Sequence, residues 1–125
     1  MSKEEKIIKN KYPGIIKLGF KIHYVIDSGR IIVNDNFKTV DNCLDYIITK
    51  ECELVLGLSH SYLANGEDVL AAGVIRLDSN GVVTEIKNES GHYKPTPNQT
   101  IVSIKLFEQF GIDLHGVTIN NKTYT

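Results

Sequence analysis

Apolar positions along the chain change their period several times, and each change marks an element. Between Gly14 and Val33 the runs Ile15-Ile16-Lys17-Leu18-Gly19-Phe20 and Lys21-Ile22-His23-Tyr24-Val25-Ile26 read as strands. Asp27-Ser28-Gly29 then turns the second run into Arg30-Ile31-Ile32-Val33, which predicts a hairpin. Further on, Thr39 precedes Val40, Leu44, Ile47 and Ile48 at helical spacing, so a helix is expected over 39–49 with one face on the sheet. Leu54-Val55-Leu56-Gly57-Leu58 is a compact apolar run, read as a buried strand that delivers the chain to Ser59-His60-Ser61-Tyr62. Leu63-Ala64-Asn65-Gly66-Glu67 follows as a turn-like stretch.

A second hairpin is expected where Val69 to Leu77 and Val82 to Lys87 flank Asp78-Ser79-Asn80-Gly81. After Pro95, Thr96 is a natural N-cap, Pro97 fits the first helical position, Gln99 completes a capping box and Gly111 ends the element. These end signals outweigh the strand-like alternation of Val102 to Leu106 and predict a helix over 97–110. Gly116 to Tyr124 reads as a last strand or a small hairpin at Asn120-Asn121. Ser2 and Glu5 form a capping box for a short helical turn through Ile7 and Ile8, stopped by Pro13-Gly14. The expectation is an α+β fold in one domain, a largely antiparallel sheet with two principal helices at about 39–49 and 97–110.

Composition supports that reading: 125 residues, 42% of them hydrophobic, suffice for one core without disulfide or metal staples. With 14 basic against 15 acidic residues the chain lacks the basic footprint of a nucleic-acid binder, so no nucleic acid polymer is expected as partner. A pocket for a small anion needs only one or two local cations and is compatible with this balance. No apolar run reaches about 18 residues, and the first residues carry no signal-peptide stretch, so a cytoplasmic location and no membrane contact are expected. Cys43 and Cys52 lack CxxC spacing, and the four histidines lack ligand spacing; neither a metal nor another cofactor is expected. Self-association into a homo-oligomer stays open.

Two clusters carry candidate chemistry. In Ser90-Gly91-His92-Tyr93-Lys94-Pro95, Gly91 is expected to supply unusual backbone geometry, and Pro95 to hold Lys94 extended. The segment offers hydroxyls from Ser90 and Tyr93, a group titrating near neutrality in His92 and a cation in Lys94; Thr96 and the helix start add amide donors. The plainer alternative is a turn whose side chains bond neighbouring loops. The second cluster, Ser59-His60-Ser61-Tyr62 with Asn65 and Glu67, begins where a strand ends, a common place for site residues, and its Ser/His/Glu set suggests nucleophilic catalysis. No G-x-S-x-G elbow surrounds Ser59 or Ser61, which weakens a nucleophilic reading.

His60-Ser61-Tyr62-Leu63-Ala64-Asn65-Gly66, Ala71-Ala72-Gly73-Val74, Gly81 with Ile86, and Ser90 to Thr96 together resemble the conserved domain of plant IQ-motif calmodulin-binding proteins. Similar segments occur in bacterial proteins that resemble effectors or terminal toxin domains. The resemblance covers roughly residues 58 to 100, and Asn65 stands where that family has glycine. No IQ-type helix is present, so the resemblance does not imply calmodulin binding. It implies that His60, Ser90, His92 and Tyr93 act together.

The leading expectation is a ligand-binding domain whose pocket lies between the His60 loop and the SGHYKP segment. It would accept a small anionic ligand, a nucleotide or ADP-ribose-like compound, with Tyr93 or Tyr62 stacking, Lys94 and the Thr96 helix start holding phosphate, and His92 hydrogen-bonding. The residues assigned to it are His60, Tyr62, Asn65, Ser90, Gly91, His92, Tyr93, Lys94 and Thr96. A chain of this size rich in Lys, Ile and Asn suits a bacterium, mobile element or phage, where one role is sequestering a nucleotide signal of host immunity. The alternatives are an effector-type enzyme acting on a nucleotide or glycosidic bond, with His92 or His60 as acid/base and Glu67 or Glu85 as partner, and a protein-interaction module docking by a sheet edge.

Overall fold

The computed structural model describes residues 7–33 and 43–121. In chain order the elements are β1 (Phe20–Ile22), β2 (Tyr24–Asp27), β3 (Arg30–Val33), β4 (Cys43–Thr49), β5 (Leu54–Leu58), α1 (His60–Leu63), β6 (Val69–Leu77), β7 (Val83–Lys87), α2 (Pro97–Gln109) and β8 (Thr118–Asn120). Six strands form one sheet in the order β1-β5-β4-β6-β7-β8, while β2 and β3 make a separate two-stranded ribbon. All neighbours in the large sheet are antiparallel except β7 and β8, which run parallel. The architecture is α+β, and no described helix is long and apolar enough to cross a membrane.

β4 lies at the centre and explains how two cores form. Successive side chains of a strand point to opposite faces. Leu44, Tyr46 and Ile48 enter the larger core with Leu56, Ala71, Ile75 and Ile86, under Phe107 of α2. The rings of Tyr46 and Phe107 meet at 4.9 Å with a 59° tilt. Ile47 points the other way, into a smaller core of Ile8, Leu63, Ala64, Val69, Ala72 and Tyr93. Asp45 shares the face of Ile47, so a carboxylate is delivered to the side that carries α1 and the SGHYKP segment. Gly73 on β6 lets the sheet close over Tyr46, since a Cβ there would lie 2.3 Å from the Lys87 carbonyl oxygen and 2.7 Å from Tyr46 Cε2.

The hairpin of β2 and β3 forms as expected, and so does that of β6 and β7, where Asp78 Oδ1 accepts from Asn80 N and Val82 N at 2.8 and 2.9 Å. α2 begins with the anticipated capping box: Thr96 Oγ1 accepts from Gln99 N at 3.1 Å and Gln99 Oε1 from Thr96 N at 2.9 Å.

The helix expected over 39–49 is a correction: Cys43–Thr49 is strand β4, and 39–42 lie outside the described residues. Its helical spacing arises because a strand buried on both faces carries adjacent apolar residues, Ile47 and Ile48, which periodicity alone cannot separate from a helix. The second helix is instead the single turn α1. Ser2 and Glu5 lie outside the described residues, but Ile8 is not helical; it bridges Val69 antiparallel, with Ile8 N donating to Val69 O at 2.6 Å. Residues 15–19 were expected as strand and have no regular structure; pairing begins only at Phe20, opposite Leu58.

Candidate functional site

The buried strand β5 ends at Leu58, and Ser59, at φ 75°, swings the chain into α1. Asp45 holds that corner, its Oδ2 accepting from Ser59 N at 2.9 Å. His60 turns inward, and its Nε2 lies 2.6 Å from the Gly73 carbonyl oxygen, so Nε2 is the protonated nitrogen that donates. Nδ1 therefore faces Asp45 Oδ2, 3.8 Å away. The two serines are occupied with backbone: Ser59 Oγ donates to Lys17 O at 2.8 Å, and Ser61 Oγ accepts from Lys17 N at 2.9 Å. They clamp the irregular 15–19 stretch along the sheet end.

The SGHYKP segment is a tight turn fastened from inside. Lys94 N donates to Ser90 O at 2.8 Å, Tyr93 N to Ser90 Oγ at 3.3 Å, and Asn88 Nδ2 to Pro95 O at 2.8 Å. His92 links it to the N-terminal stretch: its carbonyl accepts from Lys11 N at 2.6 Å, and its Nε2 donates to Ile15 O at 3.2 Å. The Tyr93 ring is fully buried, and its hydroxyl donates to the Glu67 carbonyl. Burial, with smaller contributions from Asp68 and Glu67, pushes that phenol up to about 12.

These two turns and the 12–17 stretch border two open, adjoining pockets that share lining residues and together make a groove. The inner one, of about 270 Å³, is lined by Lys17, Leu18, Asp45, Leu58, Ser59, His60, Gly91 and His92. The outer one, of about 380 Å³, is lined by Tyr12, Ile15, Lys17, Gly91, His92 and Lys94. Lys17, Gly91 and His92 border both. In the outer compartment Lys94 Nζ lies 5.4 Å from the Tyr12 ring centroid and 3.2 Å from its hydroxyl, and the His92 ring meets Tyr12 edge-on at 5.7 Å. A Cβ on Gly91 would meet no protein atom within 4 Å.

Of the residues expected at a site, His60, Gly91, His92 and Lys94 border this groove. Others do not. The buried Tyr93 ring is unavailable for stacking, and Ser90 is buried in the turn it fastens. Tyr62 is exposed outside the groove lining, and Asn65, at φ 52°, forms the turn after α1. Thr96 is engaged in its capping box rather than aimed at the groove. Backbone expectations also reverse: Gly91 is not left-handed, whereas Lys94 is, at φ 42°, despite the proline that follows.

Tyr12, Ile15, Lys17 and Asp45 escaped the sequence reading. Only Asp45 left a signal, as a carboxylate inside the apolar run Leu44 to Ile48, and it is visible only once that run is taken as a strand. Glu67 and Glu85, considered as carboxylate partners for a histidine, do not line the groove; Glu85 binds Asn120 Nδ2 at 2.6 Å and lies near Arg76 and Lys87. Among the described residues no three His, Cys, Asp or Glu side chains converge on a metal-sized site. Compared with family models, with curated proteins and with solved structures, the chain finds no match.

Proposed function

We propose that the groove between the His60 turn and the SGHYKP segment binds a small anionic ligand of the nucleotide or ADP-ribose-like class and holds it intact, as a protein sequestering a signalling nucleotide must. The observation that carries this reading is the outer compartment, where Lys17, Lys94 and His92 converge with no carboxylate among the lining residues. Two ammonium groups suit a phosphate, and Gly91 lets it approach the backbone. The half-exposed Tyr12 ring beside Ile15 offers the apolar surface that a planar base needs. Tyr12 thus takes the stacking role first assigned to Tyr93 or Tyr62.

The reading is tested by thermal shift across a panel of nucleotides and dinucleotides, followed by chromatography of the recovered ligand. A stabilising nucleotide returned unchanged is expected, with Lys17→Ala weakening it about tenfold or more, the effect of losing a charge-assisted hydrogen bond. No shift with any panel member contradicts the reading. A second reading, an enzyme cleaving a phosphate or glycosidic bond, draws on the His60–Asp45 approach at 3.8 Å in the inner compartment. Ligand recovered as products, with turnover lost in His60→Gln, is the outcome that favours it.

A further inference from the structure

The inner compartment differs in chemistry from the outer one, and the difference restricts what can enter it. Asp45 supplies a carboxylate whose Oδ2 accepts from Ser59 N at 2.9 Å, and a carboxylate has further acceptor positions beyond that one bond. Its side chain is one-fifth exposed and lines the compartment. A phosphate here would face this carboxylate at close range and be repelled. A hydroxyl would donate to it. The same compartment is lined by Leu18, 91% exposed, and Leu58, 50% exposed, two apolar side chains open to solvent. Hydroxyl-accepting carboxylate beside apolar side chains is the chemistry that recognises a sugar, whose ring carries hydroxyl donors at its rim and C–H groups on its faces.

We infer that the inner compartment takes a neutral, hydroxylated sugar joined to the anionic group held at Lys17, so that the ligand is a nucleoside diphosphate sugar rather than a nucleotide ending in phosphate. The inference rests on the groove reading above and fixes the ligand's polarity within it. The base lies against Tyr12, the diphosphate spans Lys94 and Lys17, and the terminal sugar donates to Asp45. Lys17, bordering both compartments, sits where the charged part gives way to the neutral part.

Calorimetric titration with two matched pairs, ADP-ribose against ADP and UDP-glucose against UDP, tests this. In at least one pair the sugar-bearing member is expected to bind about tenfold tighter, the value of a hydrogen bond to a charged acceptor. Asp45→Asn keeps an acceptor for Ser59 N, so the corner at α1 survives, but it removes the charge. It is expected to shrink the ratio of the two affinities within the pair to about threefold or less. Equal binding of both members of each pair, or a preference that persists in Asp45→Asn, overturns the inference and leaves the groove reading standing. No binding by any of the four compounds overturns both.

Discussion

At the scale of single residues, the same histidine-and-tyrosine turn contains side chains with opposite duties. Tyr93 is a core residue with one polar handle: its ring packs against Ile8, Leu63 and Ala72, and its hydroxyl reaches the Glu67 carbonyl. Tyr93→Phe should cost about 1 kcal/mol in chemical denaturation, the net worth of one hydrogen bond, and leave ligand affinity unaltered. The phenols of Tyr24, Tyr46 and Tyr93 are all raised, chiefly by burial. In the unfolded chain they lose their protons near pH 10, before they do so in the folded one. Their contribution is therefore complete below that pH and declines as pH climbs through the folded values. Urea midpoints should be insensitive to tyrosine ionisation up to about pH 10 and fall beyond it, less steeply in Tyr93→Phe. His60 and His92 also look alike in sequence, yet both spend Nε2 on a backbone carbonyl, and what each presents to the groove is the rest of its ring.

At the scale of elements, legibility followed how local the deciding interaction is. α2 was readable because Thr96, Pro97 and Gln99 settle its start within four residues, and Thr96→Ala should lower stability by about 1 kcal/mol in a denaturant titration. The β6–β7 hairpin was readable for the same reason, its turn being closed by Asp78 alone. β4 was not, because its identity depends on β5 and β6 pairing on both sides, a non-local fact that the run Leu44 to Thr49 does not encode by period. Its central place gives a further expectation: Ile47→Ala, which opens a cavity in the smaller core, should cost about 2–5 kcal/mol by thermal or urea unfolding. An exposed helix position would cost far less.

Across the whole molecule, the groove exists because topology gathers segments that are remote in sequence. β4 brings Asp45, β5 leads into His60, the β7–α2 connection carries His92, and the clamps from Ser59 and Ser61 lay Lys17 across the gap. Sequence reasoning located the His60 and His92 turns, since polar residues stood out where strands ended. It missed Lys17 and Tyr12, whose only distinction is where the chain lies after folding. Gly91 offers the cleanest test that this gathered surface, and not some other face, does the binding. A side chain there meets no protein atom near its Cβ and projects into space shared by both compartments. The decisive measurement is the affinity of Gly91→Val for the nucleotide that most stabilises the unsubstituted protein, taken with the melting temperature of both. The groove account predicts a melting temperature close to that of the parent protein and binding weakened at least about tenfold by steric filling. Undiminished binding by a folded Gly91→Val would contradict it.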